Sequence, residues 1–225
     1  WMNTGVVGVF DKSDAFTVSM NLLIPKEFTE GVIFHKGISE RLYNFRGYHI
    51  YLRKDGILEA NLAHTAPSNA ILKSSKKPIK KGQWINLTMT YEGSSKANGL
   101  HVFVDGKELD MKTETDELTK SILFQSKNQP PLQIGAWGRG FGLKNGTVDD
   151  ILVYKRALIS FEVGVIAKAN QWATIANKSS SSLSKEEKET LRQYFFAVVF
   201  KPAIQQMDKI QLQRKVLTDS TDSVE

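Results

Sequence analysis

Hydrophobic and polar residues alternate through much of the chain before residue 155, as they do in strands that bury one face. In the runs 16–22 (FTVSMNL) and 85–91 (INLTMTY), every second side chain is apolar. Asp-Gly pairs at 55–56 and 105–106 favour two-residue hairpins, because both residues accept positive φ angles. The pattern therefore predicts two antiparallel sheets packed as a sandwich, each with one wet face. Further strands are predicted at residues 32–35, 48–53, 57–62, 100–104, 132–136 and 147–154.

The hydrophobic period changes after residue 155 and indicates helices. Ser160 is a predicted N-cap for a short helix that ends near Ala176. The run 177–182 (NKSSSS) that follows has the composition of a flexible linker.

A second helical region follows the linker. Ser184 and Glu187 form a capping box, and apolar residues then recur at helical spacing. Pro202 does not fit inside a helix without cost, so another helix is predicted over about 203–217.

The run 194–200 (YFFAVVF) is apolar nearly all round, which is typical of a helix buried on several sides. Either the sandwich or a neighbouring domain is expected to cover it. The sequence thus predicts a sandwich at 1–170, a helix end and serine-rich linker at 171–183, and a helical segment at 184–225 that starts a following domain.

Composition and charge exclude several classes of function. The 225 residues include no cysteine, which excludes thiolate catalysis, disulfides and zinc fingers. No apolar run approaches the roughly 20 residues of a membrane span, and no nucleic-acid-binding motif is present. Much of the excess charge behind the net +6 lies in 73–81 (KSSKKPIKK). This run favours either a solubilising loop or salt-sensitive attraction of a polyanion such as a sulfated glycan.

Three segments resemble the laminin G-like, concanavalin A-like lectin/glucanase superfamily: 84–95 (WINLTMTYEGSS), 99–106 (GLHVFVDG) and 146–158 (GTVDDILVYKRAL). The resemblance covers about residues 5–168. It implies an all-β fold, an antiparallel β-sandwich of the concanavalin A-like jelly-roll type, with a short C-terminal helical extension. The family usually has one more strand before the position of Val7, and too few residues precede it here, which leaves that edge open.

Shorter segments look like the laminin G-like module of bacterial multidomain proteins that also carry cytochrome-c-like modules. The tail 183–195 is similar to the start of the uncharacterised domain that follows the module there. This resemblance implies an exported parent protein, a periplasmic or extracellular location at the cell envelope, and other domains of the parent chain as partners. The segments are 69–71, 94–100, 118–122 and 161–163.

Glucanase relatives of this fold hydrolyse glycosidic bonds with paired carboxylates on one strand face. The nearest approach here is 114–117 (ETDE), in which Glu114 and Asp116 share a face and Glu117 falls on the other. No aromatic wall stands nearby to raise a pKa. We therefore predict no catalytic residue and no enzymatic activity. The histidines are too scattered for a metal-hydrolase site: His35, His49, His64 and His101.

One aspartate is a metal candidate through the resemblance. Many members of the superfamily bind a structural calcium ion through the aspartate matching Asp149 and through main-chain oxygens of an early turn. Only this one ligand is visible in the sequence, so Asp149 is either a calcium ligand or a hydrogen-bonding aspartate. No other cofactor is expected.

Glycan sites need flat aromatic rings and planar polar groups. Such residues cluster at 41–46 and 137–141, in segments with loop character, and the segment 62–69 resembles the narrower family. Each candidate has a plainer alternative as a packing or hydrogen-bonding residue. The predicted ligand-binding residues are Trp137, Arg139, Tyr43, Asn44, His64 and Asn69.

These features favour a non-catalytic, lectin-like carbohydrate-binding module whose partner is a polysaccharide or another glycan, including an anionic one. A structural module that packs against neighbouring domains is the alternative. A glycoside hydrolase is the third hypothesis.

Overall fold

The computed structural model describes residues 1–37, 45–124, 128–135, 141–168, 174–175 and 177–222, and within them the strands form two antiparallel sheets. The predicted all-β antiparallel sandwich of the jelly-roll type is confirmed. The strands are β1 Met2–Asn3, β2 Phe16–Leu23, β3 Gly31–Gly37, β4 Gly47–Leu52, β5 Leu58–Thr65, β6 Asn69–Ser75, β7 Trp84–Tyr91, β8 Leu100–Val104, β9 Lys107–Glu108, β10 Met111–Asp116, β11 Leu132–Ile134 and β12 Thr147–Tyr154.

The core lies between a seven-stranded sheet, in the order β1-β11-β3-β4-β5-β6-β10, and a five-stranded sheet, in the order β12-β2-β7-β8-β9. Alternate residues fill it, as the sequence predicts: Leu87, Met89 and Tyr91 of β7 are fully buried. The rings of Phe10 and Phe16 stack at 4.6 Å between centroids. Burial of each large apolar side chain stabilises the sandwich by roughly 1.5–3 kcal/mol.

The outer face of the five-stranded sheet is drier than predicted. Helix α1, Ser160–Ile166, contributes Val163 to a small apolar cluster with Phe103 of β8. The polar side chains beneath this helix hydrogen-bond to one another: Ser19 Oγ lies 2.7 Å from Thr88 Oγ1. The prediction of one wet face is wrong for this part of the sheet, because a helix and internal hydrogen bonds replace water there.

One of the two predicted hairpin turns and one strand also differ from the prediction. Asp105 and Gly106 make the two-residue hairpin between β8 and β9, with φ of 51° and 74°. The Asp55-Gly56 pair does not, because the β4–β5 pairing stops at Leu52 and Leu58 and leaves a five-residue loop. Strand β6 extends into the basic run that was expected to be a loop. Strand β1 pairs with β11 at the edge that the resemblance left open.

The helices follow the sequence with shifted ends. Ile159, not Ser160, precedes the first turn of α1, and its N–H donates to Glu162 Oε2. The helix ends at Ile166; residues 169–173 and 176 lie outside the described range. The capping box of Ser184 and Glu187 is confirmed at the start of α2, Lys185–Tyr194. A π-helical turn, Phe195–Val199, leads to α3, Lys201–Asp222.

Helix α3 starts two residues earlier than predicted, because Pro202 sits in its first turn, where a backbone N–H has no helical partner to lose. It contacts the sandwich through Gln211 Nε2 and Arg214 Nη1, which both donate to the carbonyl oxygen of Glu92, at 2.7 and 3.0 Å. None of the described helices is long and apolar enough to cross a membrane.

The apolar run between α2 and α3 is not covered by the sandwich. Phe195, Phe196 and Phe200 are 44%, 41% and 38% exposed, and their rings contact one another at 5.6 Å between centroids. Of the two expected alternatives, burial by the sandwich is not what the structure shows, and cover by a neighbouring domain stays a prediction. Tyr194, the residue before Phe195, does contact α1: its ring centroid lies 5.3 Å from that of Phe161.

Candidate functional site

The sequence-predicted ligand contacts fall into two groups. Trp137, Arg139, Tyr43 and Asn44 lie outside the described residues, so their roles stay predictions. His64 and Asn69 are described, and both lie near the short turn between β5 and β6.

Every polar atom of His64 and Asn69 hydrogen-bonds within the chain. His64 Nδ1 lies 2.7 Å from the carbonyl oxygen of Ser121, and Nε2 lies 2.8 Å from Arg46 Nη2. Asn69 Oδ1 accepts the N–H groups of Thr119 and Lys120, and Nδ2 donates to Thr119 Oγ1. These bonds hold the 119–121 segment against the sheet. The ligand contact predicted for both residues stays a prediction.

A polar row crosses the outer face of the seven-stranded sheet. Its register places Gln133, His35, His49 and Asn61 side by side on four neighbouring strands. His35 Nε2 lies 2.9 Å from Gln133 Oε1, and the Phe45 ring meets His49 edge-on at 4.5 Å. Burial, followed by the charge of His35, lowers the pKa of His49 to about 3. The two histidines and Asn61 are buried, so this part of the face is packed rather than open.

The outer face of the five-stranded sheet carries an open pocket of about 320 Å³. Because Ile85 points into the core, its neighbour Trp84 points outward at the start of β7, and its side chain is 50% exposed. We call this site the Trp84 pocket. It is lined by Asn21, Trp84, Ile85, Asn86, Asp105, Asp149, Asp150, Ala167 and Lys168.

Strand register builds the floor of the Trp84 pocket. Asp149 of β12 pairs with Asn21 of β2, which pairs with Asn86 of β7, so the three polar residues form one row across three strands. The register shifts after Asp149. The next residue, Asp150, has a φ of +48° and accepts a hydrogen bond from Asn21 Nδ2 at 2.9 Å.

A turn and a helix end complete the rim. Asp105, from the β8–β9 hairpin, accepts the N–H of Asn86 at 2.8 Å, and its own N–H donates to the Asn86 carbonyl. Lys168 follows α1, and its Nζ lies 3.9 Å from Asp150 Oδ2. The site therefore combines one exposed indole, three carboxylates and one ammonium group, held by a sheet rather than by long loops.

Paired acids elsewhere on the sandwich have structural partners. Glu114 of β10 accepts from Ser74 Oγ and Lys112 Nζ, both at 2.7 Å, and these bonds lower its pKa. Asp116 Oδ1 accepts the N–H of Ala97 at 2.7 Å. A general acid requires a raised pKa, so the environment of Glu114 is opposite to that role.

The basic run 73–81 is partly engaged inside the fold. Lys73 is buried in β6, where Nζ donates to the Leu100 carbonyl at 2.7 Å, and burial lowers its pKa. Lys81 Nζ donates to the Phe28 carbonyl, also at 2.7 Å. The run is therefore not one continuous solvated loop, because its first lysine belongs to a strand.

The metal prediction concerns a residue of the Trp84 pocket. Asp149 Oδ1 accepts the N–H of Asp150 at 2.8 Å. Among the residues that the structure describes, no group of three histidine, aspartate or glutamate side chains is arranged to hold a metal ion. Calcium at Asp149 stays a prediction that depends on main-chain ligands.

In the sequence, Trp84 stands out only as the first residue of a family-like segment, and the pocket is not predicted. The signal was present in the alternation itself, since Trp84 and Asn86 share the polar face of β7. The register with Asn21 and Asp149, which lie 63 residues or more from Trp84 along the chain, was not readable without the pairing of strands.

Comparisons with known proteins agree with this architecture. Among solved structures, the chain is similar to the Ruminococcus gnavus IT-sialidase CBM40 bound to α2,3-sialyllactose, with 13% identity, 68% of this chain and 83% of that chain covered, and a TM-score of 0.51. It is also similar to the binding domain of Paraclostridial Mosquitocidal Protein 1, with 19% identity, coverage of 71% and 38%, and a TM-score of 0.50. At these identities the similarity describes the fold alone.

No curated protein matches the chain. Residues 2–164 match the family described as the concanavalin A-like lectin/glucanases superfamily. Because this match covers well over half of the sequence and agrees with the two-sheet sandwich, the chain belongs to the concanavalin A-like lectin/glucanases superfamily.

Proposed function

We propose that this chain is a non-catalytic, lectin-like module that binds carbohydrate in the Trp84 pocket. The observation that carries the proposal is the half-exposed Trp84 indole beside hydrogen-bonding groups fixed on three strands. The superfamily and the similarity to a structure holding sialyllactose support it.

The geometry fits the chemistry of a sugar ring, which has apolar C–H faces and a polar edge. An exposed indole provides a flat apolar surface for such a face, and carboxylate oxygens accept hydrogen bonds from hydroxyl groups. Side chains already held by strand pairing lose little conformational entropy on binding, which favours affinity for a small ligand.

The sequence resemblance supports a role for the module at the cell envelope. The parent protein is an exported bacterial multidomain protein, and the module positions it against polysaccharide in the periplasm or outside the cell. A structural calcium ion at Asp149 would then lie at the floor of the Trp84 pocket, without taking part in any reaction.

A glycan array followed by retention on an immobilised positive glycan tests the function and the site together. Trp84→Ala should abolish retention without changing the melting temperature, because the removed ring is half exposed. Trp1→Ala is the matched control, since it removes another exposed indole, 80% accessible, that does not line the pocket. Full retention by Trp84→Ala, with loss on Trp137→Ala, would move the site to the loop predicted from the sequence.

A structural module is the second candidate, and one observation favours it. Phe195, Phe196, Val199 and Phe200 expose apolar surface that the sandwich leaves uncovered. If this surface is the main functional feature, a longer chain that includes flanking domains should melt at a higher temperature, and the glycan array should be negative. A positive array with no stabilisation by flanking domains favours the lectin instead.

A further inference from the structure

The charge and hydrogen-bonding state of the Trp84 pocket restrict the class of sugar it can hold. We propose that the pocket selects glycans that carry protonated amino groups and disfavours anionic glycans. This inference rests on the proposed function, because it assigns the ligand class of the same site.

The charges in the pocket are predominantly negative. Asp105, Asp149 and Asp150 line it from the β8–β9 turn and from β12, and Lys168 is the one cation among the lining residues that the structure describes. That ammonium group lies 3.9 Å from Asp150 and is mostly exposed to water. Without a bound calcium ion, three carboxylates and one ammonium group give these lining residues a formal charge of −2 at neutral pH, which attracts a cationic group and repels a carboxylate or sulfate.

The hydrogen-bond donors of the pocket floor are already used. Asn86 Nδ2 donates to Asn21 Oδ1 at 2.9 Å and to Ser19 Oγ at 3.4 Å, which occupies both of its hydrogens. Asn21 Nδ2 donates to Asp150 Oδ2. An anionic sugar needs several hydrogen-bond donors that converge on its charged group. Most of the donors in this floor already bind acceptors within the chain.

Acceptors, in contrast, are left over. Each carboxylate commits one oxygen: Asp105 Oδ1 to the Asn86 N–H, Asp149 Oδ1 to the Asp150 N–H, and Asp150 Oδ2 to Asn21. An ionised carboxylate has two acceptor oxygens, so one remains on each residue for a ligand. Ammonium and hydroxyl groups are the donors that match this arrangement, and hydrogen bonds between charged partners are the stronger ones.

The basic run does not reverse this preference. Two of its lysines, Lys73 and Lys81, bind main-chain carbonyls, and Lys76 pairs with Asp110 at 2.9 Å. None of these residues lines the Trp84 pocket. These three lysines therefore add no positive charge to the pocket lining, and the charges of the lining itself decide the ligand class.

Titration calorimetry with three probes tests the selectivity: a glucosamine tetramer, its fully N-acetylated counterpart and sialyllactose, at low salt and with chelator present. The two tetramers have the same sugar backbone and differ at the amino group, which is an ammonium in one and a neutral acetamide in the other. We expect the glucosamine tetramer to bind at least about fivefold more tightly than the acetylated one, which is the effect of one charge at about 4 Å in water. Raising the ionic strength should shrink the preference, and sialyllactose should bind most weakly.

Isosteric variants separate charge from shape. Asp149→Asn and Asp150→Asn keep an acceptor oxygen and suit the local backbone, and each should lower the preference for the glucosamine tetramer about fivefold. Lys168→Gln removes the opposing cation and should raise that preference by a similar factor.

Two results are distinguishable. If the tetramers bind and Trp84→Ala abolishes binding, but sialyllactose binds equally well or better, the inference on ligand class is wrong and the lectin function stands. Sialyllactose binding that appears when calcium replaces the chelator overturns the inference in the same way. If no probe binds wild type while the glycan array is positive and depends on Trp84, the inference on ligand class is wrong; if the array is negative as well, the proposed function itself fails.

Discussion

The buried histidine on β4 makes acid stability a direct test of the packing on the outer face of the seven-stranded sheet. His49 is fully buried, and burial, with the nearby His35, lowers its pKa from 6.5 to about 3. The folded chain therefore keeps His49 neutral at a pH where the unfolded chain protonates it. Because the unfolded state binds the extra proton, this contribution to stability is complete above pH 6.5 and is lost as the pH falls from 6.5 towards 3.

The magnitude follows from the size of the pKa shift. Each pKa unit corresponds to about 1.36 kcal/mol. Between pH 8 and pH 5 the unfolded state gains protonation over about 1.5 units, so His49 alone should reduce the free energy of unfolding by about 2 kcal/mol. Near pH 3 the loss should approach about 5 kcal/mol.

Urea unfolding followed by tryptophan fluorescence at pH 8 and pH 5 measures this change. His49→Gln is the comparison variant, because it keeps a polar side chain and removes the titrating group. The quantity compared is the change in the free energy of unfolding between pH 8 and pH 5. In the variant this change should be smaller than in wild type by about 2 kcal/mol. Other titrating groups, including His35, are common to both proteins. Equal pH dependence in wild type and variant would refute the reasoning.

Two further perturbations test the metal prediction and the close pairing of β3 and β4. If Asp149 holds a structural calcium ion, chelator should lower the melting temperature of wild type and leave Asp149→Asn unchanged; an identical transition with and without chelator contradicts the prediction. Gly47→Ala should destabilise the fold by about 2 kcal/mol or more in urea unfolding, because φ is +113° and a Cβ would collide with the Lys36 carbonyl oxygen. Gly56→Ala, in the β4–β5 loop, also has a positive φ, of 82°, but only the milder contact of 3.0 Å with Pro78, and it serves as the comparison.

The alternation of apolar and polar residues was sufficient to predict most of the strands of the sandwich. Leu87, Met89 and Tyr91 face the core as the alternation predicts, and the Asp105-Gly106 turn has the predicted backbone angles. Periodicity failed at β6, because Lys73 and its serine neighbours resemble a loop in composition. Burial of a lysine depends on a carbonyl from another strand, Leu100, which no local pattern contains.

The sequence predicted the site less well than it predicted the fold. A row such as Asp149, Asn21 and Asn86 depends on which strands pair and in what register, and these pairings join residues far apart in the chain. The sequence therefore drew attention to aromatic loop segments, where candidate residues are contiguous. Trp84 was visible as a residue of the polar face, but its exposure depends on how far α1 extends over the sheet.

The row beneath Trp84 is part of the hydrogen-bonded framework of the five-stranded sheet. A slip of one residue between β2 and either neighbour would turn these side chains to the opposite face. Glycan binding should therefore be lost at the same temperature at which the sheet unfolds cooperatively. For protein engineering, the exposed side chains Trp84, Asp149 and Asp150 stand on this fixed backbone, where new sugar preferences can be installed without rebuilding loops.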